Sequence, residues 1–209
     1  MTNSILMSYY WYKDCPFEWK QSALEKLKNT IYGVYSPTRA TLRGTQYEDK
    51  INKYLNYNTE FLGKEKVFEE LRGSIQQGWI KPLRISTNKG TYEFRGKYDY
   101  KKDHHLYDLK TTSSTINPDY YTKSFQHSIY GLAENCHSFT YLVTQIDPRF
   151  HVIDLQKINV EIDKEKDTLR LTEALIEFEK GLEKLDLWNL YLQKKCGIKI
   201  NDFQAFSAF

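Results

Sequence analysis

The sequence predicts an α/β chain, and three observations carry that expectation. Residues 91–111 alternate apolar and polar side chains at period two around a short polar turn. Several other segments place apolar residues at helical spacing, and residues 138–160 hold two further β-rich runs. With 209 residues, 40% hydrophobic and 15% aromatic, the chain can bury one sizeable core. One domain over residues 1–209 is expected, with a helical segment at 1–60, a sheet and core at 61–160 and a second helical segment at 161–209.

The elements follow in order. Trp11, Tyr12, Phe17 and Trp19 flank Cys15-Pro16, and read as a buried aromatic packing element. Tyr47, Ile51, Tyr54 and Leu55 mark one face of a helix, with Glu48 at the border of that stripe. Residues 65–76, with Val67, Phe68, Leu71 and Ile75, read as a helix ended by Gly78, and residues 83–87 begin the sheet. Tyr92, Phe94, Tyr98 and Tyr100 make residues 91–100 one strand. Residues 101–105 turn, and residues 106–111 return.

Asn117 can cap a helix and Pro118 suits its first position; Phe125, Ile129, Leu132 and Ala133 carry the helix to Asn135, with Gln126 and Tyr130 one turn apart on an adjacent stripe. Strands are expected at 138–146, closed by Asp147-Pro148, and at 150–160. Residues 164–195 read as one long helix or two shorter ones.

Composition narrows the function classes. A net charge of +3 and a pI near 8.5 permit a local patch for nucleic acid without requiring one. Three cysteines without regular spacing argue against a disulfide framework and for a reducing compartment. The first dozen residues lack a charged start and an apolar run, and no stretch of eighteen apolar residues follows, so a cytoplasmic protein without membrane association is expected. No Gly-x-x-x-x-Gly-Lys-Ser/Thr loop is present, so any unwinding would come from a partner.

The chemistry concentrates at the hairpin. Asp108 and Lys110 leave one face of the return strand, and Asp99 lies where it can approach Asp108 across the pair. Two such carboxylates repel unless a cation lies between them, and hard divalent ions prefer oxygen ligands. A lysine on that face can hold an attacking water or steady charge building on a phosphate. An acidic-x-Lys triplet occurs by chance about three times in this composition, so its surroundings must carry the assignment. Glu48 can point inward as a third carboxylate, and Gln126 and Tyr130 can face the space above the hairpin. His104 and His105 read as a solvated loop.

Taken in order, Cys15-Pro16-Phe17, Gly44-Thr45-x-x-Glu48, Gly96-x-x-Asp99, Asp108-x-Lys110-Thr111 and Gln126-x-x-x-Tyr130 resemble the RecB-like, phage-type exonuclease branch of the PD-(D/E)xK nuclease superfamily. The resemblance covers residues 8 to 145 or so. It implies a restriction-endonuclease-like core, a mixed central sheet flanked by helices, and metal-dependent hydrolysis of DNA. On that pattern Asp99 and Asp108 ligate Mg²⁺ or Mn²⁺ with Glu48 and the Leu109 carbonyl, Lys110 acts on the nucleophile, and Gln126 and Tyr130 support the site and the substrate strand.

Some relatives carry an iron-sulfur cluster on four cysteines. Cys15, Cys136 and Cys196 cannot supply four thiolates, and Lys199 stands where a Cys-x-x-Cys pair would end, so no cluster is expected. The expected partners are linear DNA ends, single- or double-stranded. A homo-oligomer, such as the rings of phage-type relatives, and a helicase or annealing protein are compatible with the resemblance. Two other readings stand beside the exonuclease: a nuclease-fold protein that binds nucleic acid or protein without cutting, and a structure-specific or sequence-specific endonuclease.

Overall fold

A computed structural model describes residues 1–34, 37–57 and 67–196. Glu65, the first residue of the helix expected at 65–76, and Lys199 lie outside them. In chain order the elements are α1 (Asn3–Asp14), a short 3-10 turn (Phe17–Trp19), α2 (Lys20–Tyr32), α3 (Arg39–Tyr57), a second 3-10 turn (Glu69–Leu71), β1 (Ile75–Gln76), β2 (Leu83–Thr87), β3 (Gly90–Phe94), β4 (Tyr100–Lys102), β5 (His105–Thr112), α4 (Pro118–Thr122), α5 (Gln126–Glu134), β6 (Ser138–Ile146), β7 (Val152–Glu161), α6 (Lys164–Lys184), α7 (Trp188–Tyr191) and a π-helical turn (Leu192–Cys196). The chain is α/β, with a mixed five-stranded sheet and flanking helices.

The described residues divide into two compact units. One holds residues 1–34, 84–94 and 168–196. In it α1 packs on α2, burying Ile5, Leu6 and Tyr9 together with Ala23, Leu27 and Ile31. A Cβ on Gly181 of α6 would stand 2.2 Å from the Tyr9 ring, so only glycine lets helix and ring meet. The expected buried aromatic element is corrected here: Cys15 is buried, but Trp11, Phe17 and Trp19 are exposed. Pro16 breaks the helix after Asp14, leaving Trp11 exposed on α1 and Phe17 and Trp19 exposed beyond the break.

The other unit holds residues 37–57, 67–83 and 95–167, and contains the five-stranded sheet in the order β1-β4-β5-β6-β7. Only β5 and β6 run parallel, and the crossover between them is the α4–α5 segment. Strand β6 is buried on both faces, as a strand covered on both sides must be. Phe139, Leu142 and Val143 are fully buried there, and each stabilises the sheet by about 1.5–3 kcal/mol. Tyr47, Ile51 and Leu55 of α3 pack with Phe68, Leu71, Tyr100, Leu142 and Ile146, and Tyr107 and Leu109 join that face. By alternation Leu106, Asp108 and Lys110 point to the opposite face.

Four further expectations are corrected. Residues 91–100 are not one strand: β3 pairs with β2 in a separate two-stranded sheet, and β4 begins only at Tyr100. Residues 83–87 therefore belong to that hairpin and do not begin the main sheet. Residues 67–76 form no helix, because Gly73, at φ 78, ends a single 3-10 turn and Ile75–Gln76 become an edge strand on β4. The helix expected over 118–135 is two helices, parted at Lys123–Phe125. Its start matches expectation: the Asn117 side chain accepts from the Asp119 amide at 3.1 Å, with Pro118 at the first helical position. Residues 164–195 resolve into α6 and the shorter α7, parted by Leu185–Leu187.

Candidate active site

The site begins where β4 stops. Tyr100 pairs with Tyr107, and beyond that pair β5 continues with β6 on one side only. The Leu109 amide on the open side would lack an acceptor, and the Asp99 carboxylate supplies one: its Oδ2 accepts from Leu109 N at 2.7 Å. A residue's N–H and C=O leave a strand on the same side, so the Leu109 carbonyl also faces that opening.

Asp108, one residue earlier on β5, is 2% exposed. Its Oδ1 accepts from Gln126 Nε2 at 2.5 Å. Its Oδ2 receives no aligned hydrogen bond, and the Lys110 ammonium stands 2.6 Å from it as an ion pair. One short strand and the first residue of α5 thus bring Asp99, Asp108, Lys110 and Gln126 together.

The charges act on one another. Burial and then the neighbouring Asp108 carboxylate hold the Asp99 carboxyl well above the usual range, Glu48 adds to this, and Lys110 and the Leu109 amide oppose it. Burial works against the Lys110 ammonium, but the charges of Asp108 and Asp99 and the contact with Asp108 outweigh it and raise its pKa. Lys110 is therefore a cation at neutral pH and donates protons in hydrogen bonds without accepting them.

Gly96 and Tyr130 form the next layer. A Cβ on Gly96 would lie 2.5 Å from the Tyr130 hydroxyl oxygen, so the ring occupies the space that any other residue would fill. The Lys97 amide hydrogen-bonds the Tyr130 hydroxyl, whose pKa is pushed up to about 12, chiefly by burial and next by the Asp108 charge. Gly44 of α3 plays a similar part on the other side of the sheet, where a Cβ would come 2.8 Å from Thr111 Oγ1. That approach sets α3 against β5 at Thr111, the next residue after Lys110.

Glu48, from α3, accepts from Gln77 Nε2 at 3.1 Å and reaches Asp99 only through its charge. Among the described residues no three His, Cys, Asp or Glu side chains are gathered as a ready-made ion site. The paired carboxylates nevertheless suit a divalent cation. Both are oxygen donors, their mutual repulsion is what a cation would relieve, and Asp108 Oδ2 has only an ion-pair partner.

The sequence reading missed Tyr141 and Tyr121. Tyr141 stands on β6 directly opposite Asp108, its hydroxyl 3.2 Å from His127 Nδ1, and burial followed by the Asp108 charge raises its pKa. The Tyr121 ring lies 5.6 Å from it. The only sequence signal for Tyr141 is its place in a β run, and its partner depends on a parallel register that the run itself does not encode. His105 is also corrected: it belongs to β5, with Nε2 2.7 Å from Thr140 Oγ1 and Nδ1 2.5 Å from Ser138 Oγ, while His104 is exposed in the turn.

No family model and no curated protein matches the chain. Among solved structures, the fold is similar to a protein called SSO0001, with a TM-score of 0.49, 11% identity, and coverage of 85% of this chain and 75% of that one. It is also similar to a phage-related exonuclease from Haemophilus somnus 129PT, with a TM-score of 0.43, 11% identity, and coverage of 88% and 95%. Among the described residues, no helix is long and apolar enough to cross a membrane.

Proposed function

We propose that this chain is a metal-dependent deoxyribonuclease that hydrolyses phosphodiester bonds, acting as an exonuclease on linear DNA. The observation that carries the reading is the Asp108 carboxylate hydrogen-bonded by Gln126 on Oδ1 and ion-paired to Lys110 on Oδ2, beside Asp99. Asp99 and Asp108 would hold Mg²⁺ or Mn²⁺, joined by Glu48 and the Leu109 carbonyl. When bound, such an ion supplies a Lewis acid for the phosphoryl oxygens and a more acidic water.

The chain's own residues then have separate tasks. Gln126 fixes the rotamer of Asp108, with its second oxygen against the Lys110 ammonium. Lys110, kept protonated by its two neighbours, orients the attacking water or donates to a phosphate oxygen as negative charge builds. Tyr130, wedged against Gly96, holds the loop that carries Asp99. The order of motifs in the sequence supports the same reading independently. Cysteine chemistry is not part of it, and a helicase, an annealing protein or further copies of the chain would act as partners.

The test is direct. Purified protein with Mg²⁺ should shorten linear duplex or single-stranded DNA, EDTA should stop it, and covalently closed circles should resist. Intact linear DNA after incubation with Mg²⁺ and with Mn²⁺ would reject the proposal, and rapid cutting of closed circles would replace exonuclease with endonuclease.

A further inference from the structure

Beside the catalytic hairpin, α3 opens a cleft of about 460 Å³ lined by Arg39, Leu42, Arg43, Gln46 and Pro148. Arg39, Arg43 and Gln46 follow one another at spacings of four and three, so one face of the helix presents all three polar heads. Leu42, 52% exposed, and Pro148, in the β6–β7 turn, supply an apolar wall.

Among the described residues, Arg39 and Arg43 form no ion pair and no hydrogen bond to a carboxylate, although Arg43 is half-buried. By contrast, Arg72 and Arg84 are both paired with glutamates. A guanidinium offers a rigid fork of donors that suits phosphate oxygens. The volume is that of a small-ligand site, large enough for one nucleotide unit with phosphate on the arginines and sugar on Leu42 and Pro148.

The cleft lies on the helix that packs against β5. Gly44, next to Arg43, closes on Thr111, the neighbour of Lys110, and the same helix carries Glu48 one turn further on. We infer that Arg39, Arg43 and Gln46 form a phosphate subsite that grips the DNA strand next to the cleavage centre, with Leu42 and Pro148 against its sugar. This rests on the nuclease reading for its substrate, but binding can be measured without cutting.

The experiment is fluorescence anisotropy of labelled oligodeoxynucleotides with the full chain in EDTA, over a range of salt. Arg43→Ala should weaken binding about tenfold, and the Arg39→Ala/Arg43→Ala double variant should lose more and flatten the salt dependence by about two phosphate contacts. Arg43→Lys, which keeps charge but not the fork, should recover only part of the loss. Lys166→Ala, at an exposed position, should bind as wild type. If 5′-phosphorylated strands outbind 5′-hydroxyl strands only while Arg43 is present, the cleft takes a terminal phosphate. Equal binding with the same arginine dependence assigns it an internal one.

Wild-type affinity and salt slope in the double variant, with circular dichroism showing it folded, would overturn the subsite. A protein that binds through these arginines yet cuts nothing would refute the nuclease reading alone.

Discussion

Gly96 and Tyr130 are in contact across the site: a Cβ on the glycine would meet three atoms of the tyrosine, at 2.5 to 2.8 Å. The Gly-x-x-Asp and Gln-x-x-x-Tyr patterns, 30 residues apart, are therefore one packing arrangement. Tyr130 is buried and its ring is rigid, so Gly96→Ala must move backbone or ring, at a cost of about 1–3 kcal/mol. Thermal denaturation should show a lower Tm and DNA cleavage should fall with it. Tyr130→Phe removes the nearest atom, so the double variant should lose less than the sum of the two single losses. Strict additivity would show that the contact is not shared.

Asp99 is destabilising as a carboxylate in the metal-free protein. Its folded pKa is raised, so the folded state resists losing the proton and stability is given up as pH rises above the unfolded value of about 4. Asp99→Asn keeps an acceptor for the Leu109 amide and removes the repulsion. In EDTA its Tm should rise by roughly 2–4 °C, equivalent to about 1 kcal/mol for a chain of this size, while cleavage is lost. A lower Tm would contradict the electrostatic account of the pair.

Metal addition should relieve the same repulsion in the wild-type protein. Binding to the folded state alone stabilises by mass action, so Mg²⁺ should raise the Tm of wild type and leave Asp108→Asn unchanged. Differential scanning fluorimetry across a Mg²⁺ titration measures this, and an equal rise in both proteins would place the ion elsewhere.

The hairpin and β6 were legible because local composition and final pairing agree there. Asp108 and Lys110 share a face by alternation alone, and β6 spans the expected residues 138–146. Residues 91–100 misled because Phe94 and Tyr100 are equally β-like, yet the chain leaves one sheet and enters another around Gly96. Gly96 packs there against Tyr130, a residue distant in sequence. The edge strand at Ile75–Gln76 is too short to show a period, and the Tyr141–Asp108 juxtaposition comes from register across a crossover. The long-range terms were the ones hidden.

Acid should weaken the fold through His105. Burial lowers its pKa from about 6.5, with Glu70 opposing, so the unfolded chain takes up a proton before the folded one does. Stability is then present above the unfolded value and lost as pH falls through the folded one. The urea midpoint should drop between about pH 7 and pH 5, and His105→Gln should reduce that dependence. An unchanged slope would assign the acid sensitivity to other groups.

Lys110, paired to Asp108, is expected to serve hydrolysis. Initial rates on end-labelled linear DNA with Mg²⁺, wild type beside a folded Lys110→Ala variant, test it most directly. Lys110→Ala should lose about 10²–10³-fold in rate, with DNA binding in EDTA nearly unchanged. Equal rates for the two proteins would contradict it.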